Sequence, residues 1–112
     1  EFRRVLFRSD AALLVPKRWG VHTTLEGLGA ARSAIAEGGK VAFEAEPLEA
    51  SLRALAEARG WKAGDLFMAV RVGITGRTAT PPLFDTMVAL GFERTVARLD
   101  RAIEVLAASN PA

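Results

Sequence analysis

Residues 65–75 read DLFMAVRVGIT, and two structures compete for them. Leu66, Phe67, Val70 and Ile74 recur at the spacing of one helix face. Val70, Val72 and Ile74 also alternate with Arg71, Gly73 and Thr75, as a half-buried strand would. A lone strand has no ladder for its backbone groups, and no second strand candidate is found to pair with it. The stretch therefore predicts a helix, and with it an all-α chain.

Upstream, Leu25, Leu28, Ala31 and Ile35 predict a helix from Thr24, with Thr23 or Thr24 as N-cap and Gly38-Gly39 as its stop. Lys40–Pro47 reads as a connector from which Val41 and Phe43 pack back on the core. The next helix has Pro47 in its first turn, with Glu46 and Glu49 near its positive end, and buries Leu48, Leu52 and Leu55 before Gly60. Downstream, Pro81–Leu90 predicts a helix burying Leu83, Phe84, Met87 and Val88. After Gly91, the run Phe92, Val96, Leu99, Ile103, Leu106 is the clearest amphipathic pattern in the chain, and Ser109–Ala112 frays beyond it. The sum is a bundle-like all-α domain of about five helices with short connections.

The chain has 112 residues, half of them hydrophobic, and no cysteine, which fits one domain without disulfides or thiolate metal sites and suits a cytoplasmic setting. A single histidine excludes a His-based metal cluster. No apolar run reaches the roughly 18–20 residues needed to span a bilayer. The pI of about 9.7 invites a nucleic-acid reading. Glu1–Ser9, EFRRVLFRS, is however what the end of a common sequencing adapter encodes, and is expected to be read-through rather than gene. Its three arginines and one glutamate account for the whole net charge of +2. The domain proper is thus residues 10–112, and any argument for nucleic acid rests on where charge lies.

Most motifs reduce to simple readings. GGKVAF at Gly38 lacks the glycine and hydroxyl spacing of a P-loop. Gly73-Ile-Thr-Gly76 matches a KH-type GxxG loop but has no sheet around it. His22 is expected in solvent, Glu44, Glu46 and Glu49 on a solvated face, and Trp61 as an anchor at a helix junction. No catalytic constellation stands out.

One stretch does not reduce so readily. Residues 71–85, RVGITGRTATPPLFD, place an arginine, two glycines and a proline pair between apolar runs. Gly76 can close one helix in the left-handed conformation, and Thr80 can cap the next, with Pro81 and Pro82 as its first two positions and Asp85 in its second turn. This could be a helix corner and nothing more. It could also recognise unpaired bases, with flat proline and leucine faces, carbonyl acceptors and a guanidinium on a loop that needs little further ordering.

LFMAVRVGITGRTATPPLFDTMVALGFERTVARLDRAI, Leu66–Ile103, resembles the C-terminal end of bacterial-type glutamyl-tRNA synthetase, a class I aminoacyl-tRNA synthetase. That family carries a Leu-Phe pair, R-V-x-x-T-G, a short loop, P-P-L-F-acidic and L-G-x-E-R-x-x-x-R-L-x-x-A. LEASLRALAEARGWKAG, Leu48–Gly64, resembles the preceding helix more loosely, and Leu13–Lys17 only in general character. The resemblance implies an α-helical anticodon-binding domain, part of a ligase that joins glutamate to its tRNA using ATP. By position it implies anticodon contacts for Arg71, Thr80, Pro81 and Leu83, with Arg77 a weaker phosphate or base contact. Arg94 and Arg98 share a face of the last helix and could contact RNA backbone or pair with Glu93 or Asp100. The partners it implies are the anticodon loop of tRNA(Glu) and an N-terminal catalytic half, with no DNA and no membrane, in a monomer. ATP and Mg belong to that catalytic half, whose HIGH and KMSKS signatures are not in this sequence, so the chain is expected to need no cofactor and to be inactive alone. Met68-Ala69 departs from the polar-proline pair usual after Leu-Phe. The alternative is a free-standing helical RNA-binding or protein-interaction domain.

Overall fold

The computed structural model describes residues 11–79 and 81–109; Glu1–Ser9, Thr80 and Asn110–Ala112, each the subject of an expectation above, lie outside them. The element order is α1 (Ala11–Leu14), α2 (Val21–Gly38), a 3-10 turn at Lys40–Ala42, α3 (Ala45–Arg59), α4 (Ala63–Thr75), α5 (Leu83–Leu90) and α6 (Phe92–Ala108). The chain is all-α, with no strand among the described residues.

The deciding stretch is α4, and its burial explains why its periodicity was ambiguous. Leu66, Ala69, Val70, Val72, Gly73 and Ile74 are all buried, because α4 touches α1, α2, α3, α5 and α6. A helix covered on most sides loses its polar stripe, and its sequence then resembles a buried strand. At Gly73 α4 lies close against α6: a Cβ there would lie 3.3 Å from Leu99 Cδ2 and 3.4 Å from Ala102 Cβ. Leu28, Leu52, Leu66, Ile74, Met87, Leu99 and Leu106 fill the centre. Each such side chain contributes about 1.5–3 kcal/mol relative to exposure.

Several boundaries differ from the sequence reading. Helix α2 starts at Val21 with Gly20 as N-cap, and neither Thr23 nor Thr24 caps it. Thr24 is buried inside the first turn and donates its hydroxyl to the Gly20 carbonyl at 2.8 Å, bonding backwards along the helix. Helix α5 starts at Leu83, so Pro81 and Pro82 precede it and Pro82 (φ −47, ψ 133) is the N-cap in place of Thr80. The reason is steric: the ring of Pro82 drives Pro81 away from helical geometry, so two prolines cannot both open the helix. Thr86 reaches back instead, donating to the Pro82 carbonyl at 3.0 Å.

Val41 does not return to the core; the 3-10 turn leaves it 96% exposed. Phe43 does return, edge-on to Phe92 with ring centroids 5.7 Å apart. Val88 is 41% exposed, because Leu83, Phe84 and Met87 already occupy the inner arc of α5. Trp61 sits half-buried at the α3–α4 junction, 5.1 Å from Trp19, a pairing that the local pattern did not announce.

Candidate nucleic-acid interface

The corner between α4 and α5 is built from its backbone outward. Gly76 takes φ 73 and ψ 12, and its N–H donates to the Val72 carbonyl at 2.7 Å. That conformation costs an L-residue roughly 1–2 kcal/mol, which is why glycine stands there. Thr75 adds a second tie. Its hydroxyl lies 2.7 Å from the Arg71 carbonyl, to which it donates, and accepts the Arg77 N–H at 3.0 Å. Arg98, from α6, adds a third by donating through Nη1 to the Ile74 carbonyl at 2.7 Å. Partial burial, and then the nearby charge of Arg94, push the Arg98 guanidinium below its ordinary value. It stays cationic, and it sits where the carbonyl end of α4 favours positive charge.

These three ties aim the loop that follows. Arg77, Thr78 and Ala79 are exposed, as are Pro81 and Pro82. Leu83 is not: at 3% exposure it anchors α5 in the core, so the rings of Pro81 and Pro82 form the apolar surface at the corner. Arg71 lies half-buried one turn before Thr75, and Thr80 is outside the described residues. Arg94 is exposed on α6, one turn before Arg98. The structure thus gathers Arg77, Arg94 and Arg98 around the end of α4, with Arg71 a turn behind and the prolines ahead.

The carboxylates beside Arg94 and Arg98 in sequence are engaged elsewhere. Glu93 pairs with Lys40 at 2.8 Å, and Asp100 holds Arg32 of α2 at 2.9 Å. Thr75 is a positioning residue that sequence reasoning missed, and Arg98, expected there as an RNA-backbone contact or surface ion pair, is a second. The signal for Thr75 was present, a β-branched hydroxyl just before a helix-ending glycine. Arg98 carried none, since its bond crosses 24 positions of chain. His22 is solvent-facing, 3.8 Å from Glu26 on the next turn of α2.

Among the described residues no cluster of side chains is suited to hold a metal ion, and no helix is long and apolar enough to cross a membrane. What the described residues of the corner offer is the exposed Arg77, Pro81 and Pro82 beside the tied end of α4. Such a surface can recognise a strand with exposed phosphates and bases.

The profile of the Anticodon binding domain family matches residues 15–103, which includes the entire corner. Glutamate--tRNA ligase of Roseiflexus castenholzii is 50% identical over 101 residues, covering 90% of this chain and 20% of that protein. Glutamate--tRNA ligase of Chloroflexus aurantiacus is 43% identical over 97 residues, 87% of this chain and 19% of its own length. That of Moorella thermoacetica is 48% identical over 60 residues, 54% of this chain and 12% of its own. The chain thus spans about a fifth of the length of the first two relatives. No solved structure matches it.

Proposed function

The chain belongs to the Anticodon binding domain family, and we propose that it recognises the anticodon loop of a glutamate tRNA as the C-terminal domain of a glutamate–tRNA ligase. The observation that carries this reading is the tied corner at 76–82. Its backbone is held by Gly76, Thr75 and Arg98, and it lies wholly within the family match. The end of α4 is held in place before RNA arrives, so the start of the loop needs little further ordering when unpaired bases settle on it.

On this reading Arg71 contacts a base, Pro81 lends a flat face, and Arg77 meets a phosphate or base. Thr80 adds a polar contact, while Leu83 acts through its position, fixing the start of α5 beneath the prolines. Arg94 and Arg98 hold positive potential along the adjacent backbone. Ligation of glutamate with ATP and Mg is assigned to the catalytic half of the ligase, the partner in which this domain works as part of a monomeric cytoplasmic enzyme. The domain of this reading is residues 10–112; Glu1–Ser9 lie outside the family match and take no part in the function.

An NMR titration of the chain with the anticodon stem–loop of a glutamate tRNA tests the proposal, with an altered loop as control. Shifts centred on Arg71 and the 76–82 corner, weaker for the altered loop, are expected. Arg71→Ala should lower affinity by about 1–3 kcal/mol, the worth of a good bidentate base contact, with little change in Tm. Equal and diffuse shifts with both RNAs would leave the corner as architecture alone.

A further inference from the structure

Away from the corner, the described cations of this chain sort into two groups by what holds them. On the flanks Arg32, Lys40, Arg53 and Arg101 each meet a carboxylate, of Asp100, Glu93, Glu49 and Glu104 respectively. At the N-terminal end of α4 the pattern changes. Lys17 and Arg18 in the loop before α2, and Lys62 at the start of α4, are exposed and form no ion pair with a described residue. Arg59 joins them, and it lies over the Trp61 ring at 5.2 Å instead of beside a carboxylate.

The fold brings these residues together from two distant segments. Gly60 ends α3 in the left-handed conformation, with the Gly60 N–H on the Glu57 carbonyl and the Trp61 N–H on the Ala56 carbonyl. That pair of hydrogen bonds sets Trp61 at the junction. Trp19 meets it at 5.1 Å, and Trp19 can lie there only because position 27 is glycine: a Cβ on Gly27 would be 2.8 Å from the indole Cζ3. The indole pair is therefore a rigid bracket that clamps Lys17-Arg18 to Arg59 and Lys62. Asp65 in the first turn of α4 and Glu57 in the last turns of α3 are the acidic groups closest in sequence to this cluster. Neither forms an ion pair with a described residue; Glu26 and Glu37 of α2 share a cleft with Arg59, so the excess of positive charge rests on Lys17, Arg18 and Lys62.

We propose that Lys17, Arg18, Arg59 and Lys62, bracketed by Trp19 and Trp61, form a second RNA-backbone surface at the end of α4 opposite the corner. The thirteen residues of α4 set the two surfaces about 20 Å apart on one stiff rod. The corner reads bases, while this end takes phosphates on the same RNA without regard to sequence. The identity of the strand rests on the anticodon reading above; the existence of the surface does not.

Both tryptophans of the chain lie in the bracket, so its occupation can be read directly. The full 112-residue chain is titrated with the anticodon stem–loop of a glutamate tRNA at several salt concentrations, following tryptophan emission. The exposed triple variant Lys17→Gln/Arg18→Gln/Lys62→Gln and the corner variant Arg71→Ala are run alongside, each checked for an unchanged melt. The wild type should change its emission on binding. The triple variant should weaken binding to matched and altered loops by the same factor, and its log–log salt slope should be shallower by about 2. Unchanged slope and emission in a protein whose binding still falls with Arg71→Ala would overturn the second surface and leave the anticodon reading intact. Loss in the triple variant without any effect of Arg71→Ala would uphold the surface and sink the corner. A wild type that binds neither stem–loop would overturn both.

Discussion

At its C-terminal end α4 is tied by directed bonds to backbone carbonyls, from Thr75 to Arg71 and from Arg98 to Ile74. At its N-terminal end backbone bonds close α3 at Gly60 and Trp61, but the two distant segments are joined by packing, with Trp61 against Trp19 and Arg59 over Trp61. On the proposed reading the two ends solve different problems. Hydrogen bonds are directional and fix where a backbone atom sits, which a loop that discriminates bases requires. Ring packing holds two segments together but leaves the lysine and arginine heads on mobile stems, which suits phosphates met in varied positions. Both ends depend on the centre of α4, where Gly73 lies against Leu99 and Ala102.

The comparison breaks most completely if that shared centre fails. Leu99→Ala should cost about 2–5 kcal/mol and degrade both ends together, seen as a lower Tm with loss of tryptophan and corner signals in one transition. Retention of either end after such a loss would show that the ends are not supported by one core. A narrower disruption is Gly27→Ala, which drives a Cβ into Trp19. It should cost about 1–3 kcal/mol and shift tryptophan emission while amide signals of residues 76–79 stay in place. Movement at the corner in that variant would mean that the two ends are coupled through α4.

The opposite end is sharpened by Thr75→Val, which keeps shape and removes the hydroxyl. A loss of about 0.5–1.5 kcal/mol is expected, with faster hydrogen exchange at Arg77 and unchanged tryptophan emission. Smallest of all is Lys40→Ala. The hydrogen bond and charge of Lys40 hold the Glu93 carboxyl below its ordinary value, and the same partner raises Lys40. The pair's contribution is therefore present above the usual glutamate range, lost as acid titrates Glu93 through its lowered value, and lost again in strong alkali as Lys40 deprotonates. Both groups are exposed, so Tm at neutral pH should not move measurably; a clear drop would assign the 3-10 turn a structural role.

Much of this was legible beforehand, and the exceptions share a cause. The spacing of Leu28 with Ile35, of Leu48 with Leu52, and of Leu99 with Leu106 identified three helices and their inner faces. Gly38, Gly60 and Gly76 marked helix ends, as their position after apolar runs implied. Arg71, Arg77 and the prolines were picked out as a corner, but the first turn of α5 was placed two residues early. Chemistry between adjacent prolines decided that boundary, and a list of favoured N-terminal residues does not contain it. Val41 and Val88 were assigned inward by residue type, although the arcs they occupy face solvent.

By itself the sequence determined that the chain is all-α, where its longer helices run, and that a stiff glycine–proline corner interrupts them. These are local matters of periodicity and of backbone freedom within a few residues. Only the tertiary structure decided that Arg98 would secure the Ile74 carbonyl, that Trp19 would find Trp61, and that Leu83 would be buried beneath the prolines. It also decided which cations are paired and which lie exposed at the two ends of α4. Each of these depends on groups far apart in the chain that become neighbours only when the core closes, and no local pattern encodes such a distance.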